Sequence, residues 1–402
     1  MTFRYWLWLG LALIAFAGLS TAQDWPGWRG AGRDGKLSGF KAPESWPKNL
    51  QRGWSVEVGI GHATPALVEG RVYVHARQGD DEVILCLDAA TGRELWRDRS
   101  AAPYEMDPTA EGHGKGPKSS PAVSEGRVFT LGITGVLSCI DAKTGRVIWR
   151  HEAKATPQYG TAMSPLVKDD LCVVHLGSAG KGSITAFDAA TGKKRWSWDG
   201  DGPGYASPIL ASIAGRPQLI TQTQSFAVGI SPADGKLLWK LEYKTNFDQN
   251  SVTPVAFENC VILSGFKNGT VAYRLDGEKP ERLWSTTDVS MYMSTPILKN
   301  DRLFGFSEKR RGQFYCLDAK TGKTLWAAEG RQGDNAALLD GGGVILALTT
   351  EKKLVVFDAS DKAYTERARL DVAETPTWAH PVVSGSMIFI KDEKHLTQWT
   401  IP

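Results

Sequence analysis

Short apolar runs recur along the chain and are cut off by polar stretches rich in Gly, Asp and Pro. Residues 72–74, 83–87, 128–131, 261–263, 314–317 and 387–390 are examples. Runs this short, bounded by turn formers, predict strands rather than helices.

The polar breaks repeat. Asp88-Ala-Ala-Thr-Gly92-Arg-Glu-Leu-Trp96, Asp141-Ala-Lys-Thr-Gly145-Arg-Val-Ile-Trp149, Asp188-Ala-Ala-Thr-Gly192-Lys-Lys-Arg-Trp196 and Asp318-Ala-Lys-Thr-Gly322-Lys-Thr-Leu-Trp326 share one pattern. Two degenerate copies keep the spacing: Ser231 to Trp239 retains Gly235, and Asp276 to Trp284 has Pro280 instead. Asp starts a turn by bonding backbone ahead of it, and Gly supplies the left-handed residue of a tight hairpin. The Trp, flat with one N–H, suits packing between sheets. Each copy therefore predicts two antiparallel strands joined by a hairpin.

Upstream of each hairpin stands a hydroxyl residue followed by Pro and an apolar strand: Thr64-Pro65, Ser120-Pro121, Ser164-Pro165, Ser207-Pro208, Thr253-Pro254 and Thr295-Pro296. His380-Pro381 is a variant, and Ala336-Ala337 holds the place in the weakest copy. The prolines step by 56, 44, 43, 46 and 42 residues, with two further steps of about 41 and 44. Four strands in such a period make a propeller blade, and eight starts predict an all-β, eight-bladed β-propeller. The last copy ends at Pro402 without room for a fourth strand, while the strand around Trp54 is spare. That strand is expected to complete the last blade and abolish the free edges. The domain organisation read from this is a leader at 1–22, a strap outside the ring at 23–50 and the propeller at 51–402.

Composition agrees: 43 Gly and 15 Trp in 402 residues suit many turns and inter-sheet rings. A formal charge of +3 gives no footprint for nucleic acid. At the N-terminus, Arg4 precedes an apolar stretch over 5–19 and small residues up to Ala22. This reads as a secretory signal cleaved before Gln23, with an uncleaved anchor as the alternative. No cysteine near the cleavage point could carry a lipid. No later segment has 18 uninterrupted apolar residues, so the mature chain is expected to be exported, periplasmic or secreted, without a transmembrane span.

The Asp-Ala-x-Thr-Gly-x-x-x-Trp unit resembles the pyrroloquinoline-quinone (PQQ) repeat of quinoprotein dehydrogenases. Eight blades and an export signal resemble more closely the non-enzymatic branch, which includes the BamB-like propellers of outer-membrane protein assembly. The segment Asp24-Trp-Pro-Gly-Trp-Arg-Gly-Ala-Gly-Arg-Asp-Gly35 resembles the leader of exported PQQ-like propellers. The dehydrogenase branch implies an adjacent cysteine pair and a calcium-binding carboxylate. Here Cys86, Cys139, Cys172, Cys260 and Cys316 are all separate, and no such carboxylate set is found.

Alternation places Cys86, Cys139 and Cys316 on one repeated core face, so buried free thiols are expected, with a disulfide or metal role as the alternative. His62 and His380 lie at blade starts, and the insertion at 99–118 adds His113. Three imidazoles there are a candidate metal set, against channel histidines bonded to backbone or water. The insertion also carries Glu105, Asp107 and Glu111. These read as a solvated loop, a candidate partner contact, or an acid–base pair. By blade symmetry His62, Lys118, Met163, Tyr205, Asn250, Tyr292, Asn335 and Trp378, together with His380, form a ring at the channel mouth. Such a ring suits a flat ligand or a peptide, or ordinary packing. Three decoys read as turns: 177–182, Asn268-Gly-Thr270 and Lys309-Arg-Arg311.

The leading expectation is an exported, non-catalytic, monomeric scaffold that binds envelope proteins or peptides and needs no cofactor. The alternatives are a PQQ- and calcium-dependent oxidoreductase and a sensor for a small ligand or carbohydrate.

Overall fold

The computed structural model describes residues 23–153, 155–277 and 279–402; the segment 1–22 read from the sequence as a signal lies outside them. Eight four-stranded antiparallel sheets are formed, each in sequential strand order except the closing one. The first blade is typical, with strands Ala66–Val68, Arg71–Gln78, Asp81–Asp88 and Glu94–Ala101. Its two middle strands are buried along their length, whereas the outer strand alternates. Middle strands lie between neighbouring blades on both faces and so read as unbroken apolar runs.

The ring closes as expected. Gln51–Glu57 pairs antiparallel with His395–Thr400, Gln51 opposite Thr400 and Glu57 opposite His395. The chain then reaches blade one through Gly59 and Gly61, whose carbonyls accept from the buried Lys391 ammonium at 3.0 and 3.2 Å.

The repeat motif docks each blade on the next. Asp141 Oδ1 accepts from Thr144 N at 2.7 Å and from Thr144 Oγ1 at 2.7 Å, which fixes the turn and holds the Asp141 carboxyl below the usual range. A register shift after Cys139 follows, and Trp149 pairs opposite Cys139. The Trp149 indole then donates to Ala189 O of the following blade at 3.1 Å. The same bond is made by Trp54, Trp96, Trp196, Trp284 and Trp326, at 2.8–3.1 Å. Trp239 departs and donates to Gln218 Oε1 within its own blade, because the turn it faces is the degenerate copy with Pro280.

Gly145 is held twice. Its φ is +76°, and a Cβ there would stand 2.7 Å from the Trp96 ring. Gly145→Ala is expected to lower stability by about 1–3 kcal/mol in urea unfolding, without change of fold by circular dichroism.

The strap takes a different path from the expected one. Trp25 pairs with Leu67 of blade one, and Pro26 O accepts from Val123 N of blade two at 2.7 Å. Arg33 donates to Pro165 O and Pro208 O, both at 2.8 Å, in blades three and four. Buried Arg29 donates to Thr295 O at 2.9 Å and Pro296 O at 2.8 Å in blade six. Leu37 N donates to Asp340 O of blade seven at 2.9 Å. Residues 23–37 thus span one end of the central channel instead of running outside the ring. The carbonyls beside the blade-start prolines lie outside the ladders, and the guanidinium forks satisfy them. Phe40, Trp46 and Leu50 of the later part join Trp25 and Leu37 in one apolar cluster with residues of the first and last two blades.

Candidate functional site

Above this plug the channel is a blind cavity of about 1120 Å³, its open mouth included. Trp28 of the plug forms its floor, edge-on to His380 at 5.8 Å between centroids. Arg29 and Arg33 lie against the Trp28 ring, at 5.6 and 5.4 Å. Burial lowers both guanidinium pKa values, to about 10 and about 9, which leaves them charged at neutral pH.

The wall is built in layers. The first is made of the blade-start hydroxyls. Thr64 N donates to Ser120 Oγ (3.0 Å), Ser120 N to Ser164 Oγ (3.0 Å) and Ser164 N to Ser207 Oγ (2.9 Å). His380 N donates to Thr64 Oγ1 at 2.9 Å, which carries the belt across the closure, and Thr253 N donates to Thr295 Oγ1 at 3.2 Å. The hydroxyl–proline repeat therefore ties blades one to four, eight to one, and five to six at the axis. Proline removes the next N–H, so the hydroxyl serves the one amide left at each start.

Two residues earlier, alternation turns a second set into the cavity: His62, Lys118, Ala162, Tyr205, Ser251, Met293 and Trp378. Seven of the ring residues expected from blade symmetry are thus on the wall: His62, Lys118, Tyr205, Tyr292, Asn335, Trp378 and His380. Met163 and Asn250 are not. Both sit one residue off the alternating set, as do Tyr292 and Asn335, which line the wall nonetheless, so the offset alone does not decide the direction. Met163 is in the core, and Asn250 is fully buried with its amide on Thr223 O and Tyr243 O. Trp28, Tyr159 and Gln249 also line the cavity, though nothing in the repeat pointed to them.

The insertion begins after the strand Glu94–Ala101, and its short 3-10 turn Pro108–His113 stands at the mouth. Asp107 caps that turn by accepting from Thr109 N at 2.9 Å and is held to blade three by Gln158 Nε2 at 2.7 Å. Glu105 and Glu111 are exposed, away from any partner carboxylate pair in the cavity. His113 lines the rim, edge-on to Trp378 at 4.9 Å, and its carbonyl accepts from His62 Nε2 at 2.8 Å. The three imidazoles do not converge: the Trp378 ring packs against both His62 and His113, and His380 is on the floor. Among the described residues no cluster of three metal-ligating side chains is formed. The cysteines are free and buried.

Burial dominates the electrostatics. It lowers His380 and His62 to about 3, so both rings are neutral, and Arg29 and Lys391 respectively act in the same direction. Lys118, bonded to Tyr159 O at 2.8 Å, is lowered by burial to about 8. It is the only charged side chain on the wall among the described residues.

An eight-bladed ring built on Trp-docked hairpins and plugged by its own N-terminal strap defines a PQQ-like propeller. Residues 44–114 and 80–328 match the family described as outer membrane protein assembly factor BamB, and the chain belongs to that family. It is 24% identical to BamB of Shewanella oneidensis over 280 residues, 68% of this chain and 60% of that one. It is also 31% identical to the quinohemoprotein alcohol dehydrogenase ADH-IIG of Pseudomonas putida over 157 residues, 36% of this chain and 20% of that one. The chain thus spans between a fifth and three-fifths of the length of these curated relatives. Among solved structures, BamB from Moraxella catarrhalis superposes with a TM-score of 0.63 at 14% identity, covering 87% of this chain and 97% of that one. A europium-containing methanol dehydrogenase superposes with a TM-score of 0.68 at 13% identity, covering 93% and 90%. These two likenesses are of fold.

The quinone and calcium of the dehydrogenase resemblance can be tested against the wall. Calcium takes oxygen ligands, with carboxylates foremost. The wall presents Lys118, neutral imidazoles, hydroxyls and amides, and no carboxylate among the described residues. This donor set does not fit a calcium-assisted quinone.

Proposed function

We propose that the protein is an exported, non-catalytic propeller that binds protein or peptide partners in the cell envelope through the loop face around the cavity mouth. The observation that carries this reading is membership of the BamB family over most of the ring, with a cavity wall that holds no calcium ligand set. No resident cofactor is part of the proposal, and one propeller is the functional unit. Among the described residues no helix is long and apolar enough to cross a membrane. The exposed insertion with Glu105, Asp107, Glu111 and His113 is the proposed contact, because loops on a rigid ring are free to meet a partner.

A photo-cross-linker at Glu111 should capture discrete envelope proteins in cells. The same group at Lys143, in a hairpin turn at the opposite end of the strands, should not. Equal capture from both positions would remove the loop face from the proposal. Dye reduction dependent on alcohol, PQQ and Ca²⁺ would replace the scaffold by an oxidoreductase.

A further inference from the structure

The belt at the channel axis leaves a set of protons without acceptors. Thr64, Ser120, Ser164, Ser207 and Thr295 each receive a backbone N–H through the hydroxyl oxygen. None of the five donates a hydrogen bond among the described residues, and all five line the cavity. A hydroxyl has one proton to give besides its acceptor sites. The belt therefore presents a ring of O–H donors to the cavity. His380 Nε2 stands beside it as a further polar atom, a donor in the Nε2–H tautomer: the residue is 8% exposed, lines the cavity and has no partner for this nitrogen among the described residues. Three cationic groups stand near the floor and wall, with Asp34 the one opposing charge felt by Arg29. Arg29 and Arg33 lie against Trp28, and Lys118 stands on the wall. Above the donors the surface becomes aromatic, with Tyr159, Tyr205, Tyr292 and Trp378.

We propose that this cavity is a binding site for a small organic monocarboxylate with a flat, unsaturated body. The carboxylate sits toward the hydroxyl ring and the cationic floor, and the body lies between the tyrosines and Trp378. Donors pointing at an anion in a site shielded from water bind it more strongly than they bind a neutral group of the same shape. Among the described residues the wall carries no acidic side chain, which would repel such a ligand. This site lies below the partner face proposed above and shares His113 with it only at the rim, and its test does not depend on any partner.

Benzoate and its neutral isostere benzamide separate charge from shape. Titrated calorimetrically into residues 23–402, benzoate should bind saturably at one site and quench tryptophan fluorescence. Benzamide should bind roughly tenfold or more weakly. Lys118→Gln, which keeps an amide donor for Tyr159 O, should weaken benzoate by roughly tenfold while leaving benzamide and the melting profile unchanged. Ser164→Thr, which keeps the hydroxyl, should retain binding, and Ser164→Ala should weaken it. Equal affinity for the two probes overturns the proposal, as does indifference to Lys118→Gln. Binding of a neutral sugar, or of PQQ only with Ca²⁺, without any binding of benzoate also overturns it.

Discussion

Acidification from about pH 6.5 to about pH 4.5 is expected to remove about 4 kcal/mol of folding stability, well before the bulk of the carboxylates titrate. The source is two buried imidazoles. His175 is 4% and His380 8% exposed, and burial lowers them to about 4 and about 3. His175 Nε2 bonds Asp201 O at 3.1 Å, which with the Asp201 charge opposes the shift without cancelling it. His380 faces Trp28, with the Arg29 charge adding to its depression.

The sign follows from proton counting. Above the ordinary histidine value neither state binds the extra proton. Below it the unfolded chain takes up protons that the folded chain refuses, so stability falls at about 1.4 kcal/mol per pH unit for each group. The loss ends near the folded values. His62 acts in the same direction, with Lys391, His113 and Lys118 around it. Lys391 and Arg33, lowered to about 7 and about 9, titrate above this window. The turn carboxylates Asp88, Asp141, Asp188 and Asp318, held low by their Thr partners, act below it. Urea unfolding across the pH range should show the slope, and His175→Gln, whose amide can still serve Asp201 O, should flatten it by about one group. A slope unchanged in that variant would mean His175 is charged in the folded protein.

Lys391→Met is expected to cost about 3–5 kcal/mol, a large effect for a side chain outside the apolar core. The Lys391 side chain is 1% exposed, and its three N–H groups are shared among Gly59 O, Gly61 O, Asp392 O and Glu393 O at 2.8–3.2 Å. Two of these carbonyls belong to the chain leaving the closing strand, and two to the last blade. Methionine fills similar volume and leaves four carbonyls, two of them in fully buried contacts, without this donor. The urea midpoint should fall, and limited proteolysis should find new cleavage between residues 51 and 62. A variant as stable as the parent, and uncut there, would show that the closing strand is held by its ladder alone.

The repeats made most of the ring legible. Asp, Thr, Gly and Trp at fixed spacing each perform a local act in the hairpin, so the pattern survives in the sequence. The hydroxyl–proline pair marked the blade starts equally well. Its belt did not show, because each hydroxyl meets the amide of another blade 42 to 56 residues away. The cavity wall was legible wherever the residue three before the proline was taken. Met163 and Asn250, one residue off that position, are buried elsewhere, whereas Tyr292 and Asn335 at the same offsets line the wall; local packing decides there, and packing is not written in the repeat. The plug was illegible for another reason. Arg29 and Arg33 bond to carbonyls, and a carbonyl leaves no trace in the identity of its residue. No repeat copy predicts the blade-seven turn either, where Tyr364 packs against Trp326 in place of a motif residue.

The plug and the closing strand also impose an order in time. Residues 23–59 precede the first full blade along the chain, yet their partners include Asp340, Ser384, Lys394 and Thr397 near its far end. Arg29 waits for Thr295, 266 positions on, and Gly59 for Lys391, 332 positions on. Blades can form by local pairing as they are made, but the strap finds its place only after the last of them exists. Folding therefore ends, rather than begins, with the segment synthesised before the ring, and such long-range closure is slow.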